Sequence, residues 1–459
     1  MGTALKAAAD GAPIADAPKP LTAEQQQHRG HALLAAMLGM FLDGYDLSII
    51  AVALLPLGNA WHLQATGTGT LMAMALLGSL VGASLGGPLT DRFGRRRLLF
   101  PNIFLYIFGA IVSALSPGLA TLCLGRFLIG LAVGMDYPLV ATIVAEYSSA
   151  ERRGNRFAWV NLAWYVGALL SSVVGWSLLA IGPESWRWML GSAAIPAIFL
   201  LWVRQRLPES PRWLARTGRT DAAQVALAHL QPQWSAEQIA ETLRQYQGKR
   251  RPWRALLQHP WRRRLVLSVL PWFCLDVVAL GIGLYFPVVL RQQGFAASNG
   301  AAAAINAAFL VISALGIAFI LPRLDRWGRI PLQVAGFSLM TLGLALFAGF
   351  MLLHSLPGIY IGCALYAFGV GIGPGVTVFA LAVEIFPTEL RASAAGIATA
   401  VSRLGAVVSA ALFPALEGFW GLPSVLVAMA LVSAVGAAVT IRYAVESRQK
   451  TLENLENAG

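Results

Sequence analysis

Long apolar stretches recur along the whole chain and are separated by short polar segments. Each is about 20 residues long or longer, the length that an α-helix needs to cross the hydrocarbon core of a membrane. The short, strictly alternating segments of a membrane strand barrel are absent. The pattern therefore predicts an all-α membrane protein with twelve transmembrane helices, near residues 32–58, 66–90, 97–116, 118–146, 156–181, 187–206, 263–290, 299–323, 331–353, 357–384, 391–417 and 422–444.

The composition supports this prediction. Only 12% of the 459 residues are charged, against about 25% in soluble domains. The net charge of +12 does not indicate a nucleic-acid partner, because thirty of the 34 Lys and Arg fall in the two tails and in every second loop. Such positive segments stay on the cytoplasmic side, so both termini are predicted to be cytoplasmic. The three cysteines lie inside predicted helices, where small apolar side chains pack.

The polar interval between the sixth and seventh apolar stretches divides the helices six and six. Within it, Ser235 and Gln238 have capping-box spacing, which predicts short helices there. The N-terminal residues lack the apolar core of a signal peptide. The predicted organisation is a disordered cytoplasmic tail at 1–30, a six-helix bundle at 31–206, a cytoplasmic interval at 207–262, a second bundle at 263–445 and a tail at 446–459.

The two halves repeat one another. GGPLTDRFGRRRLLF (86–100) corresponds to LPRLDRWGRIPLQ (321–333), and AEYSSAERRGN (145–155) corresponds to VEIFPTELRAS (383–393), at a nearly constant separation. Two related six-helix repeats with a site at the membrane midplane between them are a known transporter architecture. The repeat therefore predicts two pseudo-symmetric bundles.

These motifs, together with PESPRWL (208–214), resemble the sugar-porter-like branch of the major facilitator superfamily. FLDGYD (41–46), GMDYPLVATIVAEY (134–147) and SRLG (402–405) resemble the bacterial metabolite–proton symporters of that branch, which include carriers of aromatic acids, phosphate and other organic anions. The resemblance implies alternating access, the proton as coupling ion with no other cofactor, a monomer, and the bacterial inner membrane.

Two carboxylates, Asp43 and Asp46, interrupt the first predicted helix. They are three residues apart and lie on neighbouring parts of one helix face, where two charges in a low dielectric should not both persist. One is expected to take up a proton, as proton coupling requires, and Gly44 allows another helix to approach closely. The resemblance to phosphate symporters implies that Asp136 and Tyr137 help to bind protons and substrate. The predicted proton-coupling residues are Asp43, Asp46 and Asp136.

Arg403 lies in the middle of the eleventh predicted helix. A membrane-buried arginine pairs with a carboxylate or an anionic ligand, so Arg403 is either bound permanently to Asp276 or Asp46, or clamps an anionic substrate. The resemblance favours the clamp. Trp272 and Asp276 are four residues apart and share a helix face, and the depth of Arg126 stays open. The predicted substrate-binding residues are Arg403, Asp276, Trp272, Tyr137, Asn161, Tyr165 and Tyr366.

The charged residues of the repeated loops have two interpretations. They can fix only the topology, or they can hold the cytoplasmic side closed, as the resemblance implies. The predicted gating residues are Asp91, Arg92, Arg95, Glu146, Arg153, Asp325, Arg326, Glu384 and Arg391.

The favoured function is import of a small anionic metabolite with protons, and an organic acid is the favoured substrate. A sugar or polyol symporter is the alternative that PESPRWL and PTELRAS (387–393) favour, although sugar carriers favour Gln and Asn where this chain has carboxylates and Arg403. A phosphate symporter is a further alternative, which Leu280 disfavours because phosphate carriers have a tyrosine there. A drug antiporter or a sensor that does not transport ranks lower. The chain has no motif of an enzyme and no spacing of metal ligands.

Overall fold

The structure, a computed structural model, describes residues 23–147, 153–205, 207, 209–230, 234–247 and 253–448. Within these ranges the regular elements are helices, and twelve spans are long and apolar enough to cross a membrane. This confirms the predicted fold class. Residues 1–22 and 449–459, which make up most of the predicted tails 1–30 and 446–459, lie outside the described residues, and α1 begins inside the predicted N-terminal tail.

The first half of the chain supplies six spans, the sixth of which is built from two consecutive helices. The helices are α1 Ala23–Trp61, α2 Ala65–Phe93, α3 Arg95–Ala114, α4 Leu119–Tyr147, α5 Arg153–Leu178, α6 Ser185–Ser192 and α7 Ala194–Arg204.

The polar interval forms three short helices, as its capping pattern predicts: α8 Pro211–Arg216, α9 Thr220–Leu230 and α10 Ala236–Gln247. The backbone N–H of Ser235 donates to Oε1 of Gln238 at 2.8 Å, and the N–H of Gln238 donates to Oγ of Ser235 at 3.2 Å. This reciprocal capping box supplies partners for N–H groups that the first turn of α10 leaves unpaired. Leu214, Leu227 and Leu243 bring the three helices to one small apolar core.

The second half supplies the other six spans. The helices are α11 Trp261–Gly283, α12 Phe286–Gln292, α13 Asn299–Ile320, α14 Leu324–Trp327, α15 Arg329–Leu352, α16 Leu356–Ile372, α17 Pro374–Glu384, α18 Thr388–Trp420 and α19 Leu422–Arg442. The tenth span is broken at Gly373, between α16 and α17, where the glycine-rich sequence and Pro374 interrupt the helix.

The repeated loop motif has the same backbone in both halves. Gly94 separates α2 from α3 with φ 86° and ψ 160°, and Gly328 separates α14 from α15 with φ 93° and ψ 164°. Side chains with a Cβ rarely adopt this positive φ, which explains a glycine at both positions. We call the end of the spans at which Gly94, Gly328 and Arg204 lie the basic end.

Helices of the two halves pack side by side. The helix α18 lies against α2, and α13 lies against α5. Within the first half, α1 and α5 are in close contact at Gly44, because a Cβ there would overlap the backbone carbonyl of Trp164. This close contact brings the carboxylates of α1 next to α5.

Candidate functional site

A cavity lies among the spans, and side chains from both halves line it. It has two adjoining compartments of about 90 Å³ and about 120 Å³. We call the smaller one the Arg403 compartment and the larger one the Tyr366 compartment. The residues that line both are Leu47, Trp164, Tyr165, Ala279, Leu280 and Val370.

Arg403 is the buried cation of this cavity and contacts both halves. Its Nη1 lies 3.2 Å from Oδ2 of Asp276, within the second half. Its Nη2 lies 4.0 Å from Oδ2 of Asp43, and its guanidinium carbon lies 4.5 Å from the ring centroid of Tyr137, both in the first half. Two carboxylates and an aromatic face therefore surround one positive charge.

Asp43 is bound mainly by uncharged hydrogen-bond donors, and its cation lies farther away. Its Oδ2 accepts the hydroxyl of Tyr137 at 2.5 Å and the indole N–H of Trp164 at 2.8 Å. Its Oδ1 is buried and has no partner among the described residues. Asp43 thus shares its nearest cation, Arg403, with Asp276, which lies closer to it.

Asp46 is turned away from Arg403 and pairs with Arg126. The Nη1 of Arg126 lies 2.7 Å from Oδ1 of Asp46, and Arg126 is only 1% exposed. This places Arg126, whose depth the sequence left open, inside the first bundle. Of the two partners expected for Arg403, Asp276 is correct and Asp46 is wrong, because Asp46 has an arginine of its own.

Asp136 lies outside both compartments. Its Oδ1 accepts hydrogen bonds from Asn102 at 2.8 Å and from Arg204 at 2.9 Å, and a second short contact joins Arg204 to Oδ2. A small cavity of about 20 Å³ beside it is lined by Asn102 and Thr90. Arg204 was missed by the sequence analysis, because it ends the sixth span and looks like one of the topology-fixing arginines beside it.

The other predicted substrate-binding residues line the cavity. Trp272, Asn161 and Tyr165 line the Arg403 compartment, where Trp272 and Asp276 share a face as their spacing predicts. Tyr366 lines the other compartment. Asn306, Ser313 and Phe379 are among the lining residues that sequence reasoning missed, since small polar or aromatic side chains in a span more often serve packing.

Comparison with known proteins identifies the family. The model of the "Sugar (and other) transporter" family matches residues 31–458. The chain belongs to this family. It is 33% identical to the metabolite transport protein YaaU of Escherichia coli K12 over 91% of this chain and 92% of that protein. It is 29% identical to the glucose transporter GlcP of Staphylococcus epidermidis over 91% and 94% of the two chains.

The fold of this transporter is that of the major facilitator superfamily. The proton:xylose symporter XylE, bound to 6-bromo-6-deoxy-D-glucose, matches it with a TM-score of 0.82 and 23% identity, over 95% of this chain and 99% of that one. Membership in this family of transport proteins confirms that the chain is not an enzyme.

At the basic end of the transporter, charged side chains join the two halves. Asp325 accepts the backbone N–H of Asn155 at 3.1 Å, across from the second half to the first. Arg329 binds Glu384 through two N–H groups at 2.9 Å each and lies 3.0 Å from Asp325. Glu446 accepts the backbone N–H groups of Arg329 and Ile330, at the N-terminus of α15. Sequence reasoning missed Arg329, although it lies within the repeated loop motif.

The predicted gating residues fall into three groups. Asp325 and Glu384 belong to this network, and Arg391 is buried and donates to the carbonyl of Phe386 at 3.3 Å. Arg92 and Arg326 are exposed. The side chains of Asp91, Arg95, Glu146 and Arg153 lie outside the described residues. Gating by these residues stays a prediction.

Proposed function

We propose that the protein is a proton-coupled symporter that imports a small neutral polyhydroxylated metabolite, a monosaccharide or a close analogue, across the bacterial inner membrane. Both termini lie in the cytoplasm in this proposal, and the two bundles alternate access to the cavity. The named functions of two similar proteins, glucose transport and proton:xylose symport, support this substrate class over the organic acid that the sequence motifs favoured.

The charge balance around Arg403 carries the proposal. With Asp43 and Asp276 both ionised, one guanidinium faces two carboxylates, and the cluster has a net charge of −1. Among the residues that the structure describes, such a site has no spare cation for an anionic substrate, and placing a further negative charge in it is costly. One proton on Asp43 makes the cluster neutral. A neutral substrate accompanied by one proton is therefore the cargo that the site accommodates at the lowest electrostatic cost.

Asp43 is the proposed coupling carboxyl, and the geometry favours it over Asp46 and Asp136. Each of those has its own arginine, Arg126 and Arg204, within a close ion pair. Asp43 only shares Arg403, which belongs to the other half of the chain. Protonation of Asp43 removes the attraction between α1 and Arg403, so a proton can loosen the contact that joins the halves across the site.

The polar side chains of the cavity suit hydroxyl groups. Asn161 and Asn306 offer amides that both donate and accept, while Tyr165 and Tyr366 offer hydroxyls. Trp272 and Phe379 stand edge to face at 5.7 Å between ring centroids and supply an apolar wall. A few polar groups on a largely apolar lining are typical of small-molecule sites.

An organic anion is the second candidate, because Arg403 lines the cavity. Its Nε is buried without a partner among the described residues. An anion would have to replace Asp43 beside Arg403, which requires Asp43 to be protonated first. This candidate differs from the first in a measurable way, since its transport depends on the positive charge of Arg403.

Uptake into vesicles with an alkaline interior tests the proposal. D-xylose, D-glucose, benzoate and phosphate are the probes, with Asp43→Asn as the variant and Asp221→Asn, an exposed carboxylate, as the matched control. A sugar should accumulate only with the pH gradient. Asp43→Asn should abolish accumulation but retain exchange of labelled for unlabelled sugar, in which no proton needs to leave.

Two outcomes would contradict the proposal. Accumulation of benzoate or phosphate but of neither sugar, lost in Arg403→Ala, establishes the second candidate. Equal sugar accumulation with and without the pH gradient refutes proton coupling.

A further inference from the structure

Asp136 lies outside the cavity, yet it is next in the chain to Tyr137, which lies in its wall. Both oxygens of the Asp136 carboxylate are bound, by two N–H groups of Arg204 from α7 and by the amide of Asn102 from α3. The three residues are 9%, 1% and 8% exposed. Such a two-pronged, buried arginine–carboxylate pair has one defined geometry.

The same pair contacts the helix that carries Asp43. A Cβ on Gly39 would lie 2.9 Å from Nη2 of Arg204 and 3.0 Å from Oδ2 of Asp136. Gly39 precedes Asp43 by four residues, about one helical turn. The ion pair therefore contacts α1 one turn away from Asp43. Its carboxylate, Asp136, is also the residue before Tyr137 in α4.

The backbone of α4 needs support at this point. Pro138 has no N–H to donate to the carbonyl of Gly134, so the helix lacks one of its hydrogen bonds. Asp136 lies inside this weakened turn, and its bonds to α3 and α7 fix the turn from outside. The direction of Tyr137 depends on the same turn.

We propose that Asp136 and Arg204 form a permanent ion pair that positions the hydroxyl of Tyr137 on the carboxylate of Asp43. Asp136 is then a positioning residue and not a proton carrier. This inference rests on the proposed function, in which Asp43 binds and releases the proton. A positioned O–H donor stabilises the ionised form of Asp43, so the pair sets the pH at which Asp43 changes its protonation.

Several other groups lie around Asp43, and none of them is substituted in the Asp136 and Tyr137 variants. They are Trp164 from α5, Arg403 from α18 with Asp276 of α11 behind it, Asp46 of α1 with its partner Arg126, and Tyr106 from α3, whose hydroxyl donates to the carbonyl of Leu42 beside Asp43. The residue of α4 that follows Asp136, Tyr137, contacts Asp43 through its hydroxyl.

Infrared difference spectroscopy of the full-length protein in lipid tests the inference without a known substrate. The pH titration of the C=O band of a protonated carboxyl group is recorded for the wild type and for four variants: Asp43→Asn, Asp136→Asn, Tyr137→Phe and Asp136→Asn/Tyr137→Phe. The band should vanish in Asp43→Asn and persist in Asp136→Asn. Its midpoint in Asp136→Asn should move by about 1 pH unit to higher pH, the equivalent of one hydrogen bond to a charged group.

The double variant decides whether Asp136 acts through Tyr137. In the Tyr137→Phe background, Asp136→Asn should leave the midpoint unchanged, since the hydroxyl that it positions is gone. Thr440→Val is the control for stability alone, because it removes a buried 2.8 Å hydrogen bond to Gln333 in the second bundle. Its midpoint should equal that of the wild type.

Three other results would overturn either the inference or the proposed function. Loss of the band in Asp136→Asn makes Asp136 the proton carrier and overturns the inference. An equal shift in both backgrounds, or no shift, overturns it as well. A wild type without any band that depends on Asp43 refutes the coupling group of the proposed function itself. Should Asp136→Asn not fold, Gly39→Ala, which crowds the ion pair, supplies the same test, with Gly58→Ala on the same helix as control.

Discussion

The close approach of α1 and α5 at Gly44 gives a quantitative test of the structure around Asp43. A Cβ at Gly44 would overlap the carbonyl oxygen of Trp164 and lie 2.8 Å from its carbonyl carbon, whereas ordinary contacts begin at 3.4 Å. In Gly44→Ala the two helices must therefore separate by more than about 0.6 Å. The hydrogen bond from Trp164 to Asp43, now 2.8 Å long, would then exceed about 3.2 Å, the upper limit of a good N–H···O bond.

The expected cost follows from this crowding. Inserting a methyl group into a packed interior costs about 1–3 kcal/mol of stability. Gly58→Ala is the matched control on the same helix, because a Cβ there meets no atom of the described residues within 4 Å. Alanine is favoured over glycine in a helix by about 1 kcal/mol, so Gly58→Ala should be neutral or stabilising. Both variants gain this helix propensity, so they should differ by the crowding cost alone, about 1–3 kcal/mol.

Thermal unfolding of the purified protein in detergent ranks the variants, and uptake in vesicles reports the site. Gly44→Ala should unfold at a lower temperature than the wild type and Gly58→Ala, and its uptake should fall, since a misplacement of about 1 Å can cost about 100-fold in activity. An unfolding temperature and an uptake rate equal to those of Gly58→Ala would refute the close α1–α5 contact and the position of Asp43 derived from it.

Two further predictions concern the other charge clusters. Arg126→Leu leaves Asp46 buried without its arginine and should lower the free energy of unfolding by about 3–5 kcal/mol, measured by thermal unfolding. The double variant Arg126→Leu/Asp46→Leu should recover most of this loss. A double variant as unstable as Arg126→Leu would contradict the pairing. Gly154→Ala places a methyl group against Asp325 and Arg329 and should separate the two halves at the basic end. Maleimide should then label Val378→Cys faster. Unchanged labelling would refute the idea that these contacts hold the basic end closed.

The elements that sequence reasoning predicts well depend on local constraints. A span must be about 20 apolar residues long wherever it occurs, so the twelve spans can be counted from the sequence. The capping box of Ser235 and Gln238 and the shared face of Trp272 and Asp276 are contained within single helices. The repeated glycines, Gly94 and Gly328, are fixed by the backbone of a single turn.

The ion pairs could not be predicted, because they depend on how helices rotate against one another. Asp46 and Arg126 are 80 residues apart, and Asp136 and Arg204 are 68 apart. Three residues turn a helix by about 300°, so Asp43 and Asp46 point about 60° apart. That angle is enough to direct Asp43 to Arg403 and Asp46 to Arg126, and a sequence pattern gives no sign of which one faces which helix.

The pairing of Asp46 with Arg126 also has a consequence for the order in which the chain enters the membrane. The first span is synthesised 80 residues before its counter-charge in the fourth. At about 5–20 residues per second, it waits about 4–16 s for that partner. During this time two carboxylates in the first span disfavour its release into lipid, each by about 2.5–3.5 kcal/mol at the helix centre. We therefore expect the first span to move into lipid more readily once the fourth has arrived, because Arg126 then neutralises Asp46.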